Sequence, residues 1–261
     1  MASVAPACRV KFTSLKMVSS PAASATRLVR WTTSIAAEGK ATLMQAGRNR
    51  IRQWGVMWRA LLCLLCVLGA ANAYSASKTV LVLGDSLSAG YGLTTGAGWV
   101  TLLEKRLASE GLPAQVINAS ISGDTTSGGR SRLPTLLKKY HPDIMILELG
   151  ANDALRGLAL ASTEDNLRSM IASAQGIGAR VLLLGMQIPP NYGADYARGF
   201  SALFPKLATE RKTALVPFFL EGVAQRPELF QSDRLHPTAA AQPTLLDNVW
   251  PKLHPLLTRN P

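Results

Sequence analysis

Residues 79–87 read TVLVLGDSL, a short apolar run that ends abruptly in Gly84, Asp85 and Ser86. A run this short, aliphatic and bounded by a glycine is typical of a strand that is buried on both faces, as in parallel sheets. In such sheets the binding and catalytic residues lie just beyond the carboxyl ends of the strands. The stretch therefore predicts a parallel α/β fold and a place for chemistry at Ser86.

Similar apolar runs recur along the rest of the chain and alternate with longer amphipathic stretches. The predicted strands are 79–83, 115–118, 144–149, 180–184 and 214–219. The predicted helices are 98–110, 128–140, 163–176, 202–212 and 239–257. Pro243 and Pro251 are expected to break or bend the last helix. The alternation predicts a three-layer αβα domain around a doubly wound, five-stranded parallel sheet.

Charge divides the chain near residue 73. Residues 1–73 hold ten of the 28 basic residues and one of the 16 acidic residues, so they carry +9 of the net charge of +12. Residues 74–261 carry only +3, and net charge therefore gives no reason to expect nucleic-acid binding. All three cysteines, Cys8, Cys63 and Cys66, also precede residue 74. The predicted domain 74–261 thus has no thiol for a disulfide, a nucleophile or a metal site.

Residues 57–73, MWRALLCLLCVLGAANA, have the pattern of a signal peptide. A basic residue precedes an apolar run too short for a comfortable membrane span, and Ala71-Asn72-Ala73 has the form of a cleavage site. We expect an exported domain, periplasmic or secreted, that is released after Ala73 without a membrane anchor. The basic segment 1–56 is either a stretch upstream of the true start at Met57, which we favour, or a transit-type leader.

Ser86 is the candidate nucleophile. Gly84 permits a tight turn, and Ser86 at the start of the following helix would aim its own N–H at a developing oxyanion. A helix-capping role explains a serine at this position equally well. The pattern also departs from the G-x-S-x-G elbow, because Ser88 stands where the second glycine belongs.

His236 is the candidate general base. The chain has only two other histidines, His141 and His254, and both precede prolines at positions where surface placement is expected. Asp233 lies three residues before His236, close enough to accept from the ring and fix its tautomer. Alone, this spacing also suits an ordinary surface turn; combined with Ser86, it indicates a serine hydrolase.

Gly123 and Asn152 follow the second and third predicted strands. A glycine N–H and a side-chain amide are suitable oxyanion donors, each worth about 3 kcal/mol of the barrier. Each residue also has a plain structural interpretation, as a turn glycine and as an Asx-turn residue.

These residues stand in four ordered blocks, G-D-S-L (84–87), I-S-G-D-T (121–125), G-A-N-D (150–153) and D-R-L-H (233–236). Their order and spacing resemble the SGNH (GDSL) hydrolase family, over about residues 79–257. The resemblance implies a catalytic Ser86, His236 and Asp233, and an oxyanion hole of Ser86, Gly123 and Asn152. It further implies hydrolysis of aryl and short-chain esters, acyl-CoA thioesters or lysophospholipids, without a cofactor or a metal.

The preferred substrate stays open at this point. The segment 187–196, with Pro190 and Tyr192, is expected to line the acyl side of the site, although it also suits an ordinary rigid loop. A carbohydrate O-acetyl esterase of the same family is an alternative, and a non-catalytic acyl-binding protein on the same scaffold is a more distant one. We expect a monomer whose partners are small acyl substrates rather than nucleic acid.

Overall fold

Five parallel strands form one sheet in a computed structural model that describes residues 77–258. The strands are β1 (Lys78–Gly84), β2 (Ala114–Asn118), β3 (Ile144–Glu148), β4 (Arg180–Leu184) and β5 (Ala214–Val216). Their order in the sheet is β2-β1-β3-β4-β5, and every neighbouring pair is parallel. The predicted fold class and all five predicted strands are confirmed. The predicted leader 1–56 and signal peptide 57–73 lie outside the described residues.

Seven α-helices flank the sheet in the described part of the chain. They are α1 (Ser86–Ala89), α2 (Trp99–Ser109), α3 (Thr126–Tyr140), α4 (Ala151–Leu155), α5 (Leu160–Gly176), α6 (Ala194–Arg211) and α7 (Gln242–Thr258). The helices α2 and α7 pack together, whereas α5 packs against both α3 and α6. None of these helices is long and apolar enough to cross a membrane.

The core lies where the central strands meet both helical layers. Residues Val80–Leu83 of β1 and Ile144–Leu147 of β3 have no solvent exposure, as expected for strands covered on both faces. Large side chains from the helices fill the space around them, including Trp99 from α2 and Phe200 and Phe204 from α6. This packing fixes the ends of β1 and β3, from which the first loops of the candidate site begin.

Two differences from the predicted elements occur at prolines. Strand β5 ends at Val216 and not at 219, because Pro217 has no N–H to donate to the sheet. Helix α7 begins at Gln242, next to Pro243, and residues Ala239–Ala241 form a separate 3₁₀ turn; the helix then continues through Pro251 to Thr258 without a break. Its buried apolar face stabilises the helix despite the lost hydrogen bonds; this face comprises Leu245, Leu246, Val249, Trp250, Leu253 and Leu257.

Two further helix starts were wrong. Helix α6 begins at Ala194, eight residues before the predicted start. Helix α5 begins at Leu160, so Thr163 lies within it and its buried hydroxyl is 3.4 Å from Asp153 Oδ1. The helix therefore begins three residues before its predicted start at 163.

Candidate active site

The candidate residues come from loops at one edge of the sheet. Ser86 follows β1, Gly123 follows β2, Asn152 follows β3, and Asp233 and His236 follow β5. The strand order reverses between β1 and β3, and open α/β sheets bind ligands in the crevice at such a point. The segments that carry Ser86 and Asn152 begin at the ends of β1 and β3, on either side of that crevice.

Ser86, His236 and Asp233 form one hydrogen-bonded chain. Ser86 Oγ lies 2.8 Å from His236 Nε2, and His236 Nδ1 lies 2.7 Å from Asp233 Oδ2. Both distances are within hydrogen-bond reach. With the proton on Nδ1 donated to Asp233, Nε2 is left to accept from the serine hydroxyl.

Asp233 is held as a carboxylate by the backbone of its own loop. Its Oδ1 accepts from the N–H groups of His236, at 3.0 Å, and Leu235, at 2.9 Å. These two hydrogen bonds, followed by the one from the His236 ring, lower the pKa of Asp233 to about 2. Arg234 adopts a left-handed conformation, with φ of 61°, and so turns the chain tightly between Asp233 and His236.

Asp85, and not Ser86, is the cap of helix α1. Asp85 Oδ1 accepts from the N–H of Leu87 at 3.0 Å, which satisfies a free donor of the first helical turn. Ser86 is the first residue of the helix, and its hydroxyl bonds to His236 instead. The capping interpretation of Ser86 is therefore wrong.

Gly84 has a different role from the one expected. It is the last residue of β1, and a Cβ atom there would lie 2.7 Å from Glu148 Oε2 and 2.8 Å from the Ser88 side chain. Close packing against these two groups requires the glycine, and the backbone conformation does not.

Asn152 is fixed by two acceptors. Its Nδ2 donates to Asp85 Oδ2 at 3.1 Å and to the carbonyl of Asp124 at 3.0 Å. The amide nitrogen thus lies beside the turn that holds Ser86. Gly123 adopts a left-handed conformation, with φ of 78°, and its carbonyl accepts from Arg156 at 3.0 Å.

A cavity of about 360 Å³ opens beside Ser86, Asn152 and His236. Its wall is mostly apolar and comes from the loops after β3, β4 and β5. The apolar wall residues include Leu155, Met186, Ile188, Pro189, Phe218, Leu220, Phe230 and Leu235. Such a wall suits the hydrocarbon part of an acyl group, next to polar atoms that would hold its carbonyl.

The segment 187–196 meets this cavity through its first residues. Gln187, Ile188 and Pro189 line the cavity, whereas Pro190 and Tyr192 are not among the lining residues. Pro190–Tyr192 form a short 3₁₀ turn that leaves the Tyr192 side chain 43% exposed. Gly123 also lies outside the lining residues. The substrate roles of Pro190 and Tyr192 remain predictions.

A buried pair of carboxyl groups beneath Ser86 was missed at the sequence level. Glu148, the last residue of β3, pairs in register with Gly84 and has no solvent exposure; Asp85 is 1% exposed. Burial raises the pKa of Asp85 to about 6. Burial first, and then the neighbouring Asp85, raise the pKa of Glu148 well above its ordinary value. An acidic residue inside the apolar run IMILEL was the sequence signal for this pair.

Tyr91 was also missed. Its ring centroid lies 4.5 Å from that of His236, so the tyrosine covers one side of the imidazole. Gln231 donates to the Tyr91 carbonyl at 2.8 Å and joins the loop after β1 to the loop that carries His236.

The other two histidines lie away from this group. His141 is exposed and ends α3 in a left-handed conformation. His254 is half-buried in α7, where its ring centroid lies 5.4 Å from that of Trp250.

The sheet is doubly wound and parallel, and a hydrogen-bonded Ser-His-Asp chain lies beyond the carboxyl ends of its strands. Together they define a serine hydrolase with an α/β fold. Residues 82–242 match the GDSL-like Lipase/Acylhydrolase family. The chain belongs to this family, the SGNH hydrolases, and is an enzyme. The sequence-based family and enzyme class are confirmed.

Relatives extend the comparison over the whole domain. The chain is 55% identical to "Esterase TesA" of Pseudomonas aeruginosa, over 76% of this chain and all of that protein. It is 40% identical to "Thioesterase 1/protease 1/lysophospholipase L1" of Escherichia coli K12, over 81% of this chain and 98% of that one. A crystal structure of esterase EstA from Pseudoalteromonas sp., inhibited by monoethylphosphonate, is 38% identical. It aligns with a TM-score of 0.67, covering 70% of this chain and all of that chain.

Proposed function

We propose that the protein hydrolyses carboxylic esters and thioesters with Ser86 as the nucleophile, His236 as the general base and Asp233 as the residue that orients the base. The observation that carries this proposal is the pair of hydrogen bonds, 2.8 Å and 2.7 Å long, that joins these three side chains at the mouth of an apolar cavity. A relative inhibited by monoethylphosphonate, whose tetrahedral phosphorus has the geometry of the tetrahedral intermediate of ester hydrolysis, supports the same chemistry.

Acylation is the first half of the reaction. Ser86 Oγ attacks the carbonyl carbon of the substrate while His236 Nε2 takes the hydroxyl proton. The tetrahedral intermediate then collapses, and His236 returns that proton to the departing alcohol or thiol. Asp233, which stays ionised because its pKa is about 2, stabilises the imidazolium that forms in between.

Deacylation repeats the sequence with water. His236 takes a proton from the water, the resulting hydroxide equivalent attacks the acyl-enzyme, and the proton passes to Ser86 Oγ as the carboxylic acid leaves. The N–H groups of Ser86 and Gly123 would hold the oxyanion in both halves, and Asn152 would join them by exchanging one of its two present acceptors for the oxyanion. The position of Asn152 Nδ2, beside the turn of Ser86, supports its part in this proposal.

The apolar cavity favours acyl substrates over acetylated carbohydrates, because its wall offers few groups for sugar hydroxyls. We therefore place aryl esters, acyl thioesters and lysophospholipids first. Relatives with the names esterase and thioesterase/lysophospholipase support this choice. Pro190 and Tyr192 come shortly after the wall residue Pro189 in the chain, and we propose that they contact the substrate beyond the cavity.

We also propose that residues 57–73 direct export and that cleavage after Ala73 releases a monomeric domain to the periplasm or medium. The apolar run and the Ala-Asn-Ala site support this proposal. N-terminal sequencing of the exported protein should give Tyr74 as the first residue; a start before Tyr74 would contradict it.

A panel of p-nitrophenyl esters and acyl-CoA thioesters of increasing chain length tests the function. The protein should hydrolyse them and should be labelled by a fluorophosphonate probe, whereas its Ser86→Ala variant should do neither. An unlabelled wild-type protein would favour an acyl-binding role instead. Faster turnover of acetylated glycans than of any acyl ester would favour the carbohydrate esterase.

A further inference from the structure

Asp85 and Glu148 bring two carboxyl groups together in the dry interior directly behind the nucleophile. Asp85 is 1% exposed and Glu148 has no exposure. Two carboxylates that share a buried site repel each other and lose hydration, so they do not both ionise near neutral pH. At least one proton therefore belongs to this pair.

The hydrogen-bond partners show which oxygen holds that proton. Asp85 Oδ1 accepts from Leu87 N–H at 3.0 Å, and Oδ2 accepts from Asn152 Nδ2 at 3.1 Å. Glu148 Oε2 accepts from the Ser88 hydroxyl at 2.7 Å and from Asp85 N–H at 3.2 Å. Glu148 Oε1 is buried, and no donor in the described part of the chain reaches it. Hydrogen-bond donors favour the ionised form of a carboxylate oxygen. The proton therefore belongs on Glu148 Oε1, which accepts from no donor among the described residues.

We propose that Glu148 is a positioning residue that keeps a proton on Oε1, so that Asp85 remains the single buried anion of the pair. That anion then holds the Leu87 N–H on one oxygen and the Asn152 amide on the other. The proposal rests on the proposed function, because it names the residue that keeps this active site in shape.

Charged neighbours act on the pair from two sides. His236, from the loop after β5, favours the ionised form of Asp85, and Asp124, from the loop after β2, opposes it. Glu148 feels chiefly Asp85 itself. When His236 becomes an imidazolium during the reaction, the nearby Asp85 anion is stabilised and does not compete for the proton on Glu148.

Infrared spectroscopy tests the position of the proton without reference to activity. A protonated carboxyl group has a carbonyl stretch that ionised carboxylates lack. We expect the wild-type protein at neutral pH to show this band, Glu148→Gln to lose it, and Asp85→Asn to keep it. Glu164→Gln, which changes an ion-paired glutamate far from the site, is the matched control and should also keep the band. A band that persists in Glu148→Gln, or its absence from wild type, would overturn the proposal.

Kinetics tests the positioning role. A glutamine at position 148 is uncharged, as the protonated glutamic acid is, and can still accept from Ser88, so Glu148→Gln should keep kcat within about threefold of wild type. Glu148→Ala removes the group that accepts from the Ser88 hydroxyl and the Asp85 N–H, and it should lower kcat by about 10-fold to 100-fold with little change in KM. A wild-type kcat in Glu148→Ala would refute the role. Should the alanine variant not fold, as judged by circular dichroism, the infrared result with Glu148→Gln still decides.

Failure of the proposed function and failure of the inference about Glu148 give different results. If the wild-type protein hydrolyses no ester or thioester, the proposed function fails while the infrared band still reports on Glu148. If hydrolysis is normal and the band is absent, only the inference about Glu148 fails.

Discussion

Asp233 reaches Ser86 through His236, and Asp85 directly precedes Ser86 in the chain; their environments shift their pKa values in opposite directions. Asp233, with its side chain 36% exposed, accepts two backbone N–H groups and a histidine N–H, and its pKa falls to about 2. Asp85 also accepts N–H groups, but its burial outweighs them and its pKa rises to about 6. Donors around an accessible carboxylate stabilise its charge, whereas in a dry site desolvation is the larger effect. Asp233, the outer carboxylate, can therefore act in the reaction. Asp85, the inner carboxylate, holds the structure of the site.

The substitution with the largest expected effect on kcat removes the nucleophile, Ser86. Ser86→Ala should lower kcat by about 10⁴-fold or more, because no other group replaces the nucleophile. Ser109→Ala, on the exposed end of α2, is the matched control and should leave kcat unchanged. Initial rates with a p-nitrophenyl ester measure both. A folded Ser86→Ala protein with near wild-type rates would remove Ser86 from the mechanism.

Asp233→Asn tests the outer carboxylate. The substitution preserves shape but removes the charge that stabilises the imidazolium and fixes its tautomer, and kcat should fall by about 10³-fold to 10⁴-fold. The unfolding temperature should fall modestly, because the carboxylate accepts three hydrogen bonds in the fold but its side chain is exposed. Asp165→Asn, on the surface of α5, controls for loss of an exposed carboxylate. An Asp233→Asn variant that lost stability but kept kcat would reverse the roles assigned to the two carboxylates.

Asn152→Ala tests the group that touches the inner carboxylate. Loss of one oxyanion donor should lower kcat by about 10²-fold to 10³-fold and change KM far less. A change confined to KM would indicate a substrate-binding role instead. Steady-state kinetics on a single ester separates the two results.

Gly84→Ala should disturb the inner pair through sterics. The added Cβ would meet Glu148 Oε2 at 2.7 Å, and we expect a loss of about 1–3 kcal/mol in the free energy of unfolding. Gly176→Ala, at the end of α5, adds the same methyl group where nothing lies within 4 Å and should be neutral or slightly stabilising. Urea denaturation compares them; equal stabilities would show that the space around Gly84 can relax.

The dependence of stability on pH sharpens the comparison further. Carboxyl groups whose pKa is raised by folding bind protons more tightly in the native state, so the native protein should lose stability as pH rises from about 4 through 6 and above. Glu148→Gln should reduce that loss between pH 5 and pH 8. Glu164→Gln should not, because the pKa of Glu164 is lowered and its titration is complete below this range. An identical loss in Glu148→Gln and wild type would contradict the protonated state of Glu148.

Local sequence patterns predicted the outer half of the site but not the inner half. Ser86 could be predicted because it follows a predicted strand. His236 and Asp233 could be predicted because the chain has only three histidines and Asp233 lies three residues before His236. Glu148 pairs with Gly84 across 64 residues, and only the register of two strands brings them together. Periodicity likewise predicted the strands, but it did not show that the buried face of α7 would carry that helix through Pro251.

The close approach at Gly84 has a consequence for how this sequence can vary. Gly84, Ser88 and Glu148 share one small volume, in which any added atom at residue 84 meets the other two. A larger side chain at residue 84 therefore requires smaller groups at both other positions, and a shorter acid at residue 148 would leave the serine hydroxyl without its acceptor. Over evolutionary time these three positions are expected to be replaced together or not at all, as a single inherited unit spread over two strands and a helix.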